Sequence, residues 1–178
     1  MQTEPKLKGT KNTSTTFGGT KAIIIMTDFM TPKQRSQTMS KVRGYNTKPE
    51  KLIRSRLHSQ GFRFRINSPN LPGKPDIVLK KYNAIIFVHG CFWHNHKGCK
   101  KSKLPDTRNE FWKNKIAGTV MRDQRNISDL IKQGWRIAVV WECGTKKKDD
   151  LENIIKKLSK WIIEGQSKRI ELSGRKKL

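Results

Sequence analysis

The sequence predicts a mixed α/β (α+β) domain, a central sheet flanked by helices, with a zinc site at one strand end. Three observations carry this expectation. The apolar runs Ile77-Val78-Leu79, Ala84-Ile85-Ile86-Phe87-Val88 and Ile137-Ala138-Val139-Val140-Trp141 are short and rich in β-branched residues, as buried strands are. Segments around them repeat apolar residues at helical spacing, most clearly Leu151, Ile154, Ile155, Leu158 and Ile162. The run at 84–88 then stops in His89-Gly90-Cys91-Phe92-Trp93-His94-Asn95-His96-Lys97-Gly98-Cys99, which is too polar and too rich in metal ligands to be core.

Residues 1–29 are dominated by Lys, Thr, Gly and Ser and read as a disordered basic extension with little to bury. The apolar run at 22–26 is too short for a signal segment of ordinary quality, and Met26 and Met30 are each candidate starts. Thr31-Pro32 is a helix start, a capping hydroxyl followed by proline, for a short basic helix through Met39 that could dock on DNA. Thr47 begins a second helix, ended by Gly61, with Leu52, Ile53 and Leu57 on one face. Glu50 sits in its first turn, where the helix dipole alone accounts for a carboxylate.

Phe62-Arg63-Phe64-Arg65-Ile66 alternates apolar and basic residues and reads as a half-buried strand with a cationic outer face. A turn-rich loop with three prolines leads to a hairpin of Asp76–Leu79 and Ala84–Val88, which sets Asp76 beside the end where His89 arrives. An aspartate after proline is often only a turn cap, but convergence with the histidine loop favours a site. Residues 109–133 form the longest helical pattern, and Asp149-Asp150-Leu151-Glu152 is a capping-box-like start to the last helix. The expected organisation is thus the extension at 1–29, one domain at 30–165, and a frayed basic tail at 166–178.

Cys91, His96 and Cys99 follow the pattern C-x4-H-x2-C, one ligand short of zinc's tetrahedral shell. The remaining cysteine, Cys143, ends another apolar run, so a Cys3His site would clip two strand ends together. The plainer alternative is three free cysteines and a surface histidine. Three cysteines, an odd number, argue against a disulfide framework and for a reducing compartment.

The charge points to a partner. With 39 Lys+Arg against 14 Asp+Glu, the formal net charge is +25, spread from Lys6 to Lys177. Such an excess self-repels and calls for a polyanion, with nucleic acid the default. No apolar run approaches the roughly 20 residues of a membrane span.

The strings Leu71-Pro72-Gly73-Lys74-Pro75-Asp76, Phe87-Val88-His89-Gly90-Cys91-Phe92-Trp93-His94, Phe111-Trp112, Arg122-Asp123, Gly134-Trp135-Arg136 and Val140-Trp141-Glu142-Cys143 occur in that order. Together, from about Pro32 to Trp161, they resemble the very-short-patch mismatch repair endonucleases of the restriction-endonuclease-like superfamily. The resemblance implies a magnesium-dependent enzyme that nicks DNA 5′ to the thymine of a T·G mismatch left by deaminated 5-methylcytosine. It makes Asp76 the magnesium-binding acid, with the backbone carbonyl of Val88 as a further ligand and His94 as general base. It sets Glu50, His89 and Asp123 around the metal. Cys91, His96, Cys99 and Cys143 match structural zinc ligands. Phe92, Trp93 and Trp112 match aromatics that wedge beside the mismatch, with Met39 entering from the other groove. It further implies a monomer acting on nucleoid DNA in the cytoplasm, with a functional link to a cytosine-5 DNA methyltransferase.

Two features depart from the pattern. Where the superfamily usually places a second acid and a lysine on the partner strand, Ile86, Val88 and Gly90 offer neither, and valine replaces a threonine at Val88. The spacing from His96 to Cys99 is also one residue longer. The competing expectations are a zinc-stabilised DNA-binding module without catalysis and a restriction-type nuclease on the same fold. Asp76 separates the first from an enzyme, since a binding module has no use for an acid facing phosphates.

Overall fold

A computed structural model describes residues 31, 33, 34, 37, 40, 44–66 and 68–174. The expected DNA-contacting Met39, and the candidate starts Met26 and Met30, lie outside the described residues. Thr31 does cap as expected. Its hydroxyl accepts from the Gln34 amide (3.2 Å), and the Gln34 side-chain oxygen accepts from the Thr31 amide (2.9 Å).

Among the described residues, three helices with defined bounds and a four-stranded sheet build the domain. Helix α1 (Lys48–Ser59) starts at Thr47, and β1 (Ile77–Leu79) leads through a 3-10 turn (Lys80–Tyr82) to β2 (Ala84–His89). Helix α2 (Asn109–Lys132), β3 (Arg136–Trp141), α3 (Lys148–Glu164) and β4 (Arg169–Leu172) follow. The strand order is β1-β2-β3-β4, with the first pair antiparallel and the other two parallel.

Alternate residues of the strands feed two cores. Ile77, Leu79, Ile86, Ala138 and Val140 face α1 and α3, whose Ile53, Leu57, Ile154, Leu158 and Ile162 are buried against them. Val78, Ile85, Ile137 and Val139 face Ile127 and Leu130 of α2. A sheet covered on both sides explains why β2 and β3 are unbroken apolar runs.

Three expectations need correction. Residues 62–66 do not form a strand: only Arg65 bridges, to Val78, by bonds of 2.9 and 2.8 Å. The partner strand is three residues long, and the turn-rich loop before Asp76 leaves a single residue in register. The chain beyond 165 is not simply a frayed tail, since β4 adds to the sheet beside β3 (Ile137↔Arg169 to Val140↔Leu172) and buries Leu172. Helix α3 begins at Lys148, one residue before the expected acidic start, with Lys147 at the cap position and Asp149 and Asp150 in the first turn. Among the described residues, no helix is long and apolar enough to cross a membrane.

Candidate active site

The carboxyl ends of the parallel strands β2 and β3, where His89 lies beside Trp141, open into a cleft of about 910 Å³. Crevices at such strand ends are where open α/β sheets bind ligands. Because β1 runs antiparallel to β2, its start is at the same edge, and Asp76 Oδ2 accepts the Val88 amide at 2.7 Å. Burial, opposed in part by that hydrogen bond, pushes the Asp76 carboxyl from an ordinary 3.8 to about 6, and neighbouring Glu50 adds to the rise. No second hydrogen bond to the Asp76 carboxylate is present among the described residues.

Glu50 lines the same cleft but is fully engaged. Its carboxylate accepts from the amides of Asn46 (3.0 Å) and Thr47 (3.3 Å), the Thr47 hydroxyl (2.6 Å) and Arg54 (2.8 Å). It therefore closes the cap of α1, as its place in the first turn suggested. Arg54, which the sequence reading passed over, joins this cap to the site, since its guanidinium also donates to Asn46 Oδ1 (2.6 Å) and to the Asp76 carbonyl (3.2 Å). The i,i+4 spacing of Glu50 and Arg54 was the available signal.

Across the cleft, His94 Nδ1 lies 2.6 Å from Asp123 Oδ2 of α2, so Nε2 is the ring nitrogen left for other chemistry. His89 is buried and stacks on His94, with ring centroids 3.8 Å apart and 10° between planes. Burial first, and the neighbouring His94 second, hold His89 down at about 3 and therefore neutral. The ligand atoms of His89, His94 and Asp123 lie within 4.8 Å of one another. Yet imidazole lone pairs lie in the ring plane, so two parallel stacked rings do not converge on a single ion. The trio is better suited to holding and moving a proton.

Behind this wall, Cys91, His96, Cys99 and Cys143 also converge within 4.8 Å. His96 Nδ1 is 3.4 Å from Cys91 Sγ and 3.5 Å from Cys143 Sγ. Those separations match the edge of a tetrahedron with bonds of 2.0–2.3 Å, roughly 3.6 Å. The β2–β3 register explains the convergence: Cys91 and Cys143 each stand two residues beyond the paired His89 and Trp141. Trp141 stacks flat on His96 (4.2 Å, 6°), and the Ser102 hydroxyl donates to the carbonyls of His96 and Cys99 (2.8 and 2.7 Å). Burial pushes the Cys91 thiol above its usual range, so without a cation that thiol resists ionising. Three soft thiols and an imidazole are a set that could hold a metal.

Phe92, Trp93 and Trp112 pack edge to face at 5.1, 5.3 and 6.0 Å and are half-buried, neither core nor free. Phe111 extends the cluster, with Arg108 over its ring at 4.6 Å. Every expected site residue among the described ones is thus in one of three adjoining groups: the acid–histidine cleft, the thiol cluster and the ring cluster. Glu142, between Trp141 and Cys143, also lines the cleft and was missed.

A family model described as DNA mismatch endonuclease Vsr matches residues 27–101. The chain is 42% identical over 152 residues to the DNA mismatch endonuclease Vsr of Escherichia coli, covering 84% of this chain and 97% of that protein. It is 50% identical over 118 residues to the type II nicking enzyme V.XorIIP of Xanthomonas oryzae pv. oryzae, 66% of this chain and 86% of the relative. With the nicking enzyme V.NmeAIP of Neisseria meningitidis it shares 46% over 123 residues, 69% and 87% of the two chains.

Proposed function

The chain belongs to the Vsr family of DNA mismatch endonucleases, and on that premise we propose that it nicks one strand of duplex DNA 5′ to the thymine of a T·G mismatch. It is a DNA endonuclease by family. The mismatch, its origin in deaminated 5-methylcytosine and the link to a cytosine-5 methyltransferase are the further reading. One observation carries it: a carboxylate, a histidine–aspartate pair and Trp93, one ring of the half-buried aromatic cluster, line one cleft.

The assignments follow the chemistry of each group. Asp76 and the Val88 carbonyl offer hard oxygen donors, which suit magnesium. Magnesium held there would offset charge on phosphate oxygens and make an attacking water more acidic. Asp123 fixes His94 by its Nδ1 and leaves Nε2 to take the proton of the attacking water. As the water oxygen bonds to phosphorus, the bond from phosphorus to the leaving strand breaks. Neutral His89 supports the His94 ring face, and Glu50, engaged by its cap and by Arg54, positions Asp76 through the arginine. Cys91, His96, Cys99 and Cys143 hold zinc as a structural clasp. Phe92, Trp93 and Trp112 wedge between base pairs, with Met39 on the opposite groove.

The sheet, with Asp76 at a hairpin end, is read as restriction-endonuclease-like. The endonuclease domain is assigned to residues 30–174, so that β4 is part of it, and residues 1–29 to an extension. The protein is taken to act as a monomer.

The test is nicking of labelled duplexes, matched and T·G-mismatched, with magnesium present. A nick confined to the thymine strand of the mismatched duplex is expected. Equal cleavage of both duplexes would show a restriction-type nuclease, and binding without cleavage a DNA-binding module.

A further inference from the structure

Among the described residues that line the cleft, Lys74 is the single lysine or arginine, in a chain that carries 39 of them. Arg54 is close by but is spent on Asn46, Glu50 and the Asp76 carbonyl. The partner-strand positions Ile86, Val88 and Gly90 carry no cation. A phosphodiester under attack gathers negative charge on its oxygens, and an aimed cation stabilises that state more than the ground state. Among the described residues, the cleft therefore has one free side chain of the right charge.

The backbone at its base is fixed by a tight turn. Leu71 to Lys74 form a tight turn, with the Lys74 amide donating to the Leu71 carbonyl at 3.1 Å. Proline takes its second position and Gly73, at φ 75°, its third, as a type II turn requires. Gly73 is pressed on helix α2: a Cβ there would meet the Asn126 side chain at 3.0 to 3.3 Å. Lys74 itself is left-handed, at φ 49°, a conformation unfavourable for a residue with a side chain. Pro75 and Asp76 follow directly. Strain of this kind persists where the surroundings over-determine it, often at functional sites. Among the described residues the Lys74 ammonium has no hydrogen-bond or ion-pair partner, Asp76 included.

We propose that Lys74 is a catalytic residue whose ammonium meets the scissile phosphate, entering from the loop before β1 rather than from strand β2. This rests on the reading of the cleft as the nicking site. Water remains the nucleophile and His94 takes its proton; Lys74 stays protonated and transfers nothing.

The experiment compares wild type, Lys74→Ala, Lys74→Gly, Lys74→Gln and Lys74→Arg under single turnover at saturating enzyme, with T·G duplex and magnesium. Affinity is measured in parallel without magnesium. Lys74→Gly relaxes the left-handed backbone while removing the charge, so a fold defect and a lost cation are told apart. The Ala, Gly and Gln variants should each slow nicking by about 100-fold or more, the scale of losing one aimed donor. Affinity should change only by the loss of about one phosphate contact, with the salt slope shallower by about 1. Lys74→Arg should recover most of the rate. Nicking at saturation left within threefold of wild type in both Lys74→Ala and Lys74→Gly overturns the proposal and makes Lys74 a binding residue. A rate lost in Lys74→Ala but kept in Lys74→Gly overturns it in favour of backbone strain. Wild type that nicks no mismatched duplex sinks the reading of the cleft, and this inference with it.

Discussion

Replacing the proposed metal-binding acid should stabilise the magnesium-free protein while abolishing nicking. Asp76 is ionised at neutral pH in a place that resists charge: its carboxyl rises from an ordinary 3.8 to about 6, chiefly through burial. At about 1.4 kcal/mol for each tenfold change in ionisation, that rise costs the folded state roughly 3 kcal/mol at pH 8. The sign follows from proton binding. Between pH 4 and 6 the folded protein holds the Asp76 proton more tightly than the unfolded chain, so this group's contribution to stability improves as pH falls. Asp76→Asn mimics the protonated acid, and its amide oxygen can still accept the Val88 amide. The variant should therefore gain up to about 3 kcal/mol at pH 8, about half of that near pH 5, and almost nothing at pH 4. For a chain of this size that is roughly 6–12 °C in Tm at pH 8. Thermal and urea unfolding of both proteins, zinc-loaded and without magnesium, measure the difference at each pH, where effects on the shared thiol cluster cancel. Adding magnesium should raise the stability of wild type alone. A variant that is less stable at pH 8, or whose gain does not vary with pH, refutes the assignment of a strained, charge-accepting carboxyl.

Three further outcomes are expected. Cys143→Ser should carry less than one zinc per chain by elemental analysis and melt at lower temperature, since metal binding and folding are coupled; wild type purified with no zinc would sink the clasp. Trp93→Ala should flatten the preference for T·G over matched duplex, because wedging costs least where pairing is weak, while a log–log salt slope near −5, for around six phosphate contacts, stays nearly intact. A uniform loss of affinity with preference retained would make Trp93 a packing residue. Gly144→Ala should destabilise by about 1–3 kcal/mol, because its Cβ would fall 2.1 Å from Ile154 Cδ1 and 2.8 Å from the Gly174 amide; unchanged urea unfolding would mean that β4 and α3 yield there.

What the sequence by itself determined is what short-range chemistry encodes. β-Branched runs marked the buried strands, the five-residue apolar stripe marked α3, and ligand spacing marked Cys91, His96 and Cys99. These signals survive because each needs only neighbours within a turn or a pleat. Tertiary structure decided what depends on a partner far along the chain. Cys143 reaches the other thiols because β2 and β3 pair in parallel register, and β4 exists because β3 offers its edge to Arg169–Leu172, a stretch whose alternation is too brief to declare a strand. The reverse holds at 62–66, where good alternation met a partner of three residues and formed one bridge. Glu50 shows how far local reading carries: its cap was legible from its position, but its tie to Asp76 runs through Arg54 and a carbonyl 22 residues away. The stacking of His89 on His94, and the place of Lys74 as the cleft's cation, have no local signal at all. Both depend on which side chains the sheet register and the Leu71–Lys74 turn bring to one edge, and no pattern along a single segment contains that distance.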